Sequence, residues 1–440
     1  MQITVDLNKK IGEIKRMNAT GQAPLGGGIG FGAYEAFHYL SDVSVPYVRL
    51  HDVGGNFGGN RYVDVPNIFR DFDADENDPK NYDFAFTDLY LAKLAENGLK
   101  PYYRLGVTIE NNAEVRSYRI DPPKDYEKWA RICEHIIAHY NEGWADGFHY
   151  GIEYWEIWNE PDDGLRISQM WNGTAEDYYR LYDVAAKHLK KRFPDIKIGG
   201  YAAIGFYAAV ETEEEIIASG DPVRRKYFID FFHGFMKYIK EHNSPIDFFS
   251  WHSYSSPEKF IREAKWACEQ LRDYGYGHVE KHINEWNPQS RSSRDKAVHG
   301  AEIAAIMLGS QNTDVDMLMI YDARLDINSA YNAFFIPSLG PVCHRLSHGY
   351  YTFAAFSSLY KLGTQASLDC DADGVYAVAA TNGKKHAIMI SNISGKEQDL
   401  NINGADLSDA RWYLIDDRRL LSWSPEIKKI KNNTVVLVEF

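Results

Sequence analysis

Two glutamates carry the chemistry this sequence can do. Glu160 closes the stretch Ile-Glu-Tyr-Trp-Glu-Ile-Trp-Asn-Glu-Pro at 152–161, and Glu285 lies in His-Ile-Asn-Glu-Trp-Asn-Pro at 282–288. Each follows a short run that reads as a strand, and Pro161 stops the first one. A carboxyl flanked by Trp155 and Trp158 sits where a sugar ring can stack and where an apolar surround raises a pKa. Two carboxyls facing each other across a cavity suit glycosidic cleavage. One protonates the leaving oxygen while the other attacks the anomeric carbon or activates water. A separation of about 5–5.5 Å suits the covalent, retaining route and about 6.5–9.5 Å the inverting one; spacing in sequence leaves both open. Arg49 and Tyr254 are expected to hold Glu285 ionised, and repulsion from Glu285 with the flank of Trp158 to keep Glu160 protonated.

The elements that must position this pair alternate along the chain. Strands are predicted at 29–31, 46–51, 99–105, 152–160, 196–201, 246–251, 279–285 and 316–321. Helical periodicity falls between them, at 84–97, 125–140, 175–192, 225–241, 257–274, 294–308 and 348–362. Eight strands alternating with helices predict an α/β fold, a (β/α)₈ TIM barrel over 26–362. After residue 363 the texture changes to short strands separated by Asn, Gly and Asp turns, which predicts an accessory β-sandwich domain over 363–440. The N-terminal strand, within 1–25, is expected to join that sandwich.

A barrel of this kind places its site at the C-terminal ends of the strands. Those ends carry Arg49 and His51, Arg104, Asn159 and Glu160, His252 and Tyr254, Glu285 and Trp286, and Tyr321. Any one of them has a structural explanation. A lone buried histidine is commonly a packing residue, and a lone arginine commonly an ion-pair partner. Together with two carboxyls they outline a polar, aromatic-lined pocket.

A formal net charge of −14 argues against nucleic acid or an anionic membrane as a partner. No stretch is long enough to span a bilayer. The cysteines Cys133, Cys268, Cys343 and Cys370 are scattered, without metal-finger or C-x-x-C spacing, and read as free thiols. The first residues lack the apolar run of a signal peptide. These observations lead to an expectation of a cytoplasmic protein. The partners expected are an oligosaccharide substrate and, as an open option, further copies of the chain as a homo-oligomer. Two rivals stand beside a glycosidase. One is a catalytically silent carbohydrate-binding barrel, against which both glutamates speak. The other is a metal-dependent barrel using His51, Asp52, His252 and Glu285, whose spacing matches no metal-binding motif.

Asn159-Glu160-Pro161 after the fourth strand, with a glutamate ending the seventh, resembles clan A of the glycoside hydrolases. Arg49-x-His51, Gly98-Leu99-Lys100-Pro101, Trp158-Asn159-Glu160-Pro161, His252-x-Tyr254 and Glu285-Trp286-Asn287 together resemble glycoside hydrolase family 39, the β-xylosidase and α-L-iduronidase family. The resemblance covers most of the barrel. It implies retention of anomeric configuration, Glu160 as acid/base, Glu285 as nucleophile, and no cofactor or metal. It further implies that Asn159 binds the sugar 2-hydroxyl and that His51 and His252 line the subsite of the cleaved sugar. Two departures bear on specificity. Arg104-Leu105-Gly106 stands where xylosidases of the family look like Glu-Leu-Gly, and Tyr321-Asp322-Ala323-Arg324 stands where they tend to carry a Trp. Xylose, galactose, arabinose, glucose or a uronic acid therefore stay open as the terminal sugar. Arg104 or Arg324 could grip a uronic carboxylate, or pair with a loop acid such as Glu110 or Asp326.

Overall fold

The computed structural model describes residues 1–24, 34–51, 53, 63–108, 120–164, 170–325, 331–337 and 344–440. A long first strand, β1 (Gln2–Glu13), belongs to an accessory sheet. Eight parallel strands then close a barrel in chain order. They are β2 (Arg16–Gly21), β3 (Tyr47–Leu50), β4 (Lys100–Leu105), β5 (Tyr154–Ile157), β6 (Lys197–Ala203), β7 (Phe248–Ser253), β8 (Glu280–Trp286) and β9 (Met317–Ile320). β2 pairs with both β3 and β9, which shuts the ring. The barrel thus begins at Arg16 and not at 26. The strand expected at Ile29–Phe31 lies outside the described residues. Arg16–Gly21 escapes a pattern search because Asn18 and Thr20 are polar yet fully buried, with Asn18 Nδ2 donating to the Ser44 carbonyl at 2.8 Å.

The helices between strands start and stop on recognisable chemistry. Thr174 and Asp177 form a reciprocal capping box at the start of Ala175–Arg192. Asp221 accepts from the Arg224 N–H at the start of Pro222–His242, which ends on Asn243 in the left-handed region. Ser347 caps His348–Leu362, and Gly363 at φ 82° stops it. Along Pro257–Asp273 the buried Phe260, Ala264, Ala267 and Leu271 recur at three- and four-residue steps, so one stripe faces the barrel.

Inside the ring, alternation sorts the side chains. Tyr103 and Leu105 of β4 point out to the helix layer, while Tyr102 points in to a bottom layer with Tyr47, Tyr154 and Phe248. Hydroxyls of that layer are matched: Tyr47 donates to Glu153 and Tyr154 to Glu280, each at 2.7 Å. The closed, ring-filled bottom leaves the opposite, C-terminal end for ligand.

After the barrel come a small hairpin, β10 (Phe335–Pro337) with β11 (His344–Leu346), and then the accessory region. Its strands are β12 (Thr364–Cys370), β13 (Val375–Thr381), β14 (His386–Asn392), β15 (Gln398–Asp399), β16 (Asn401–Asn403), β17 (Arg411–Ile415), β18 (Ser422–Ser424), β19 (Lys429–Ile430) and β20 (Thr434–Glu439). They build one eight-stranded sheet in the order β16-β1-β12-β13-β14-β20-β17-β18, antiparallel except for β1 with β16, and a two-stranded ribbon of β15 and β19. Period-two alternation divides this sheet. Val436, Val438, Ile388 and Ile390 face a core of its own with Ile430, while Val435, Leu437 and Met389 join the core of the barrel. Each such buried side chain contributes about 1.5–3 kcal/mol, so the sheet is fastened to the barrel's outer helices.

Candidate active site

Two backbone irregularities aim the glutamates. β5 ends at Ile157, so Asn159 and Glu160 stand on the turn beyond it and not on the strand itself. Trp158 and Glu160 both take positive φ, 73° and 44°, which bends the chain sharply. The Trp158 N–H donates to the Leu105 carbonyl at 2.7 Å and the Glu160 N–H to Ala202 at 3.1 Å, so neighbouring strands hold the turn. On β8, Trp251↔Ile283 is followed by His252↔Glu285, which makes Asn284 the extra residue of a bulge. Strict alternation would place Asn284 and Glu285 on opposite faces. The bulge turns both into the barrel, where Asn284 bonds Glu156 and Glu285 bonds Tyr254 and Arg49.

Arg49 is the cationic centre. Its Nε donates to Glu156 Oε2 at 2.8 Å, its Nη1 to Glu285 Oε2 at 3.3 Å and its Nη2 to Asn159 Oδ1 at 2.5 Å. That last bond commits the Asn159 oxygen to Arg49 and leaves the amide nitrogen as the group able to donate to a ligand. Tyr254 donates its hydroxyl to Glu285 Oε1 at 2.6 Å. His252 lies between the carboxyls, with Nδ1 2.6 Å from Glu160 Oε1 and Nε2 3.8 Å from Glu285 Oε2. A carboxylate oxygen of Glu160 and one of Glu285 lie within 4.8 Å of each other. The two carboxyls stay 19% and 11% exposed while Arg49 and His252 are covered, so the glutamates are what the pocket presents.

Burial dominates the protonation of the pair. It pushes Glu160 up to about 8, helped by the nearby Asp163 and opposed by Arg49 and Arg224. The repulsion expected from Glu285 is not among the leading causes. Burial pushes Glu285 up as well, helped by repulsion from Glu160 and opposed by His252, Arg49 and the Tyr254 hydroxyl. Arg49 and Tyr254 do pull Glu285 toward its charged form, as expected, but desolvation outweighs them. Of the pair, Glu285 is still the one supplied with donors to its charged form, so it is the first to ionise. Burial pulls His252 down to about 4, and it also pulls His51 well below the usual imidazole value, with the help of Arg49 and Arg104. With His252 neutral at neutral pH, the shared proton sits on Glu160, which donates to Nδ1.

The other sequence candidates divide. His51 and Tyr321 stand together at the mouth, ring centroids 6.5 Å apart, and Tyr321 also meets Tyr331, whose ring lies 5.4 Å from Tyr254. Trp286 does not line the pocket. Its side chain is fully buried and packs on Phe260 of the outer helix. The reason is the bulge again: with Glu285 turned in, its neighbour turns out. Nor are Trp155 and Trp158 sugar platforms. Trp155 stacks on Tyr103 at 4.8 Å and Trp158 packs edge-on against Trp171 at 5.0 Å, each with its indole N–H donated to a backbone carbonyl.

Arg104 points into the barrel and pairs with Asp64, whose Oδ1 accepts from Nη2 at 2.7 Å, both side chains fully buried. Arg324 pairs with Asp322 at 2.8 Å. The loop acids expected for them, Glu110 and Asp326, lie outside the described residues, as does Asp52. Sequence reasoning missed Asp64, Glu156, Ser250 and Asn284. A carboxylate inside the apolar run Tyr-Trp-Glu-Ile-Trp was the available signal for Glu156.

Among the described residues, Glu160, His252 and Glu285 form the group whose ligand atoms come close enough to hold a metal. The Arg49 guanidinium against Glu285 opposes a second cation there, so the group reads as an acid–base pair with a histidine between.

Comparison with known proteins adds to this geometry. The model of the glycosyl hydrolases family 39 matches residues 42–298. A β-xylosidase of Geobacillus stearothermophilus is 24% identical over 290 residues, which cover 57% of this chain and 51% of that protein. A β-xylosidase of Caldicellulosiruptor saccharolyticus is 33% identical over 132 residues, covering 28% of this chain and 25% of that protein. The chain thus spans about half of one curated relative and a quarter of the other. Among solved structures, a glucosidase from Croceicoccus marinus superposes with a TM-score of 0.74 at 19% identity, covering 100% of this chain and 98% of that one. A family 39 β-xylosidase from Caulobacter crescentus superposes with a TM-score of 0.68 at 18% identity, covering 100% and 99%. At these identities the structures show the shared fold.

Proposed function

We propose, from the premise that this chain belongs to glycosyl hydrolases family 39, that it is a retaining exo-glycosidase that releases a terminal sugar, β-xylosidase-like, from oligosaccharides. The observation that carries the reading is the pair of facing carboxyls whose nearest oxygens lie within 4.8 Å. That separation favours direct attack over attack through an intervening water.

In the first step the protonated Glu160 gives its proton to the glycosidic oxygen while a Glu285 oxygen bonds to the anomeric carbon and the leaving group departs. In the second, the Glu160 carboxylate takes a proton from water, the water oxygen bonds to the anomeric carbon, and the bond to Glu285 breaks. Arg49 and Tyr254 hold the Glu285 oxygens and stabilise the carboxylate as it leaves. Asn159 offers its amide N–H to a sugar hydroxyl, and His51 and Tyr321 form a wall of the pocket.

Three cations at the strand ends are matched. Arg49 faces Glu156, Arg104 faces Asp64 and Arg324 faces Asp322, so none of these cations is left over for a uronic carboxylate. The names of the two curated relatives favour xylose. The test is hydrolysis of aryl β-xyloside, α-L-arabinosides, β-galactoside, β-glucoside and uronides, with Glu285→Ala run beside the wild type. The reading expects one neutral glycoside to be cleaved and that activity to fall about 10⁴-fold or more in the variant. Cleavage of none, with sugar binding retained, would favour a binding barrel.

A further inference from the structure

Glu156 is fully buried inside the barrel, and none of the steps above uses it. Three strands hold its carboxylate. Arg49 Nε of β3 donates to Oε2 at 2.8 Å, while Ser250 Oγ of β7 and Asn284 Nδ2 of β8 donate to Oε1 at 2.6 and 2.5 Å. Two of these donors bear on Glu285. Arg49 reaches it directly, and Asn284 is the extra residue of the bulge that turns it inward. A carboxylate with no exposure, bonded to an arginine and two neutral donors, is costly to bury unless each bond is made, so the arrangement is tightly specified.

We propose that Glu156 is a positioning residue for the nucleophile: it locks the Arg49 guanidinium and the Asn284 bulge in the arrangement that presents Glu285 to the anomeric carbon, and it balances the Arg49 charge so that Glu285 keeps its nucleophilicity. This rests on Glu285 being the nucleophile. The second half follows from charge counting. With Glu156 neutralised, the full Arg49 charge falls on Glu285, whose anion becomes more stable and less basic.

Two variants separate the halves. Glu156→Gln keeps the shape and removes the charge; Glu156→Asp keeps the charge and withdraws the oxygens. Both are expected to lower kcat/KM on the cleaved aryl glycoside about tenfold or more, through kcat, with KM within about threefold. Glu156→Gln is also expected to move the acidic limb of the pH profile down by about one pH unit, and Glu156→Asp to leave it in place. A lowered melting temperature with kcat and the acidic limb unchanged would make Glu156 merely structural and overturn the proposal. Should both variants fail to fold, Asn284→Ala, which removes only the bulge anchor, carries the same expectation for kcat, and an unchanged kcat overturns it. If the wild type cleaves no aryl glycoside, the glycosidase reading falls, and ¹³C titration of the Glu285 carboxyl in wild type and Glu156→Gln still decides. A downward shift supports the balance of charge and no shift refutes it.

Discussion

His252 Nδ1 lies 2.6 Å from Glu160 Oε1, so a neutral imidazole accepts from the protonated carboxyl and keeps the proposed acid's proton on Glu160 before substrate arrives. With Glu160 pushed up to about 8, kcat/KM is expected to fall on a basic limb near pH 8. Glu160→Gln is expected to lose about 10²–10⁴-fold on a poor leaving group and far less on a dinitrophenyl glycoside, which needs little acid help. A limb that persists in the variant would assign it to another group.

The same shift has a stability consequence. A carboxyl whose folded pKa is about 8, against an ordinary 4.5, binds more protons folded than unfolded between those values. Stability from this group therefore falls as pH rises from about 4.5 to about 8 and levels off above. Glu160→Gln carries no such proton. Its melting temperature relative to wild type is expected to be higher at pH 8.5 than at pH 5. Equal differences at both pH values would contradict the buried, protonated state.

Tyr254→Phe removes the 2.6 Å donor to Glu285 Oε1. A hydrogen bond to a charged group is worth about 1.5–3 kcal/mol, so kcat/KM is expected to fall about 10- to 100-fold. Because the hydroxyl pulls Glu285 down, its loss moves the acidic limb to higher pH, the reverse of Glu156→Gln. A pH–rate series on the three proteins reads both directions together.

Arg104 and Asp64 form a fully buried pair. Arg104→Met alone leaves an uncompensated carboxylate and is expected to cost about 3–5 kcal/mol, much of it recovered in Arg104→Met with Asp64→Asn. Denaturant unfolding of the two variants measures this. If Arg104→Met instead abolished a strong uronide activity while the fold stood, a neutral sugar would be the wrong substrate.

Trp286 packs on Phe260 behind the strand. Trp286→Phe is expected to lower the melting temperature and leave KM within about twofold. A large rise in KM would return Trp286 to the pocket.

The barrel was legible because most of its strands and helices advertise themselves. Helices 175–192 and 348–362 match their sequence periodicity to the residue, since amphipathic spacing and caps are local signals. β2 was not, because its Asn18 and Thr20 are polar yet buried, and Asn18 finds its partner in the Ser44 carbonyl, 26 residues away. The tryptophans misled for a related reason. An aromatic beside a pocket glutamate looks the same in sequence whether it lines the pocket or supports it from behind.

What the sequence alone determined is the alternation that makes the barrel, the candidacy of Glu160 and Glu285 as a carboxyl pair, and the strand ends that carry Arg49, His51, His252 and Tyr254. These follow from residue type and periodicity. What only the tertiary structure decided is which way those residues face and in what electrostatic setting. A one-residue bulge at Asn284 exchanges the fates of Glu285 and Trp286. Burial raises both carboxyls against their donors. Asp64 neutralises Arg104 from a different part of the chain. Strand register, desolvation and ion pairing all depend on atoms brought together across the barrel, and no local pattern records them.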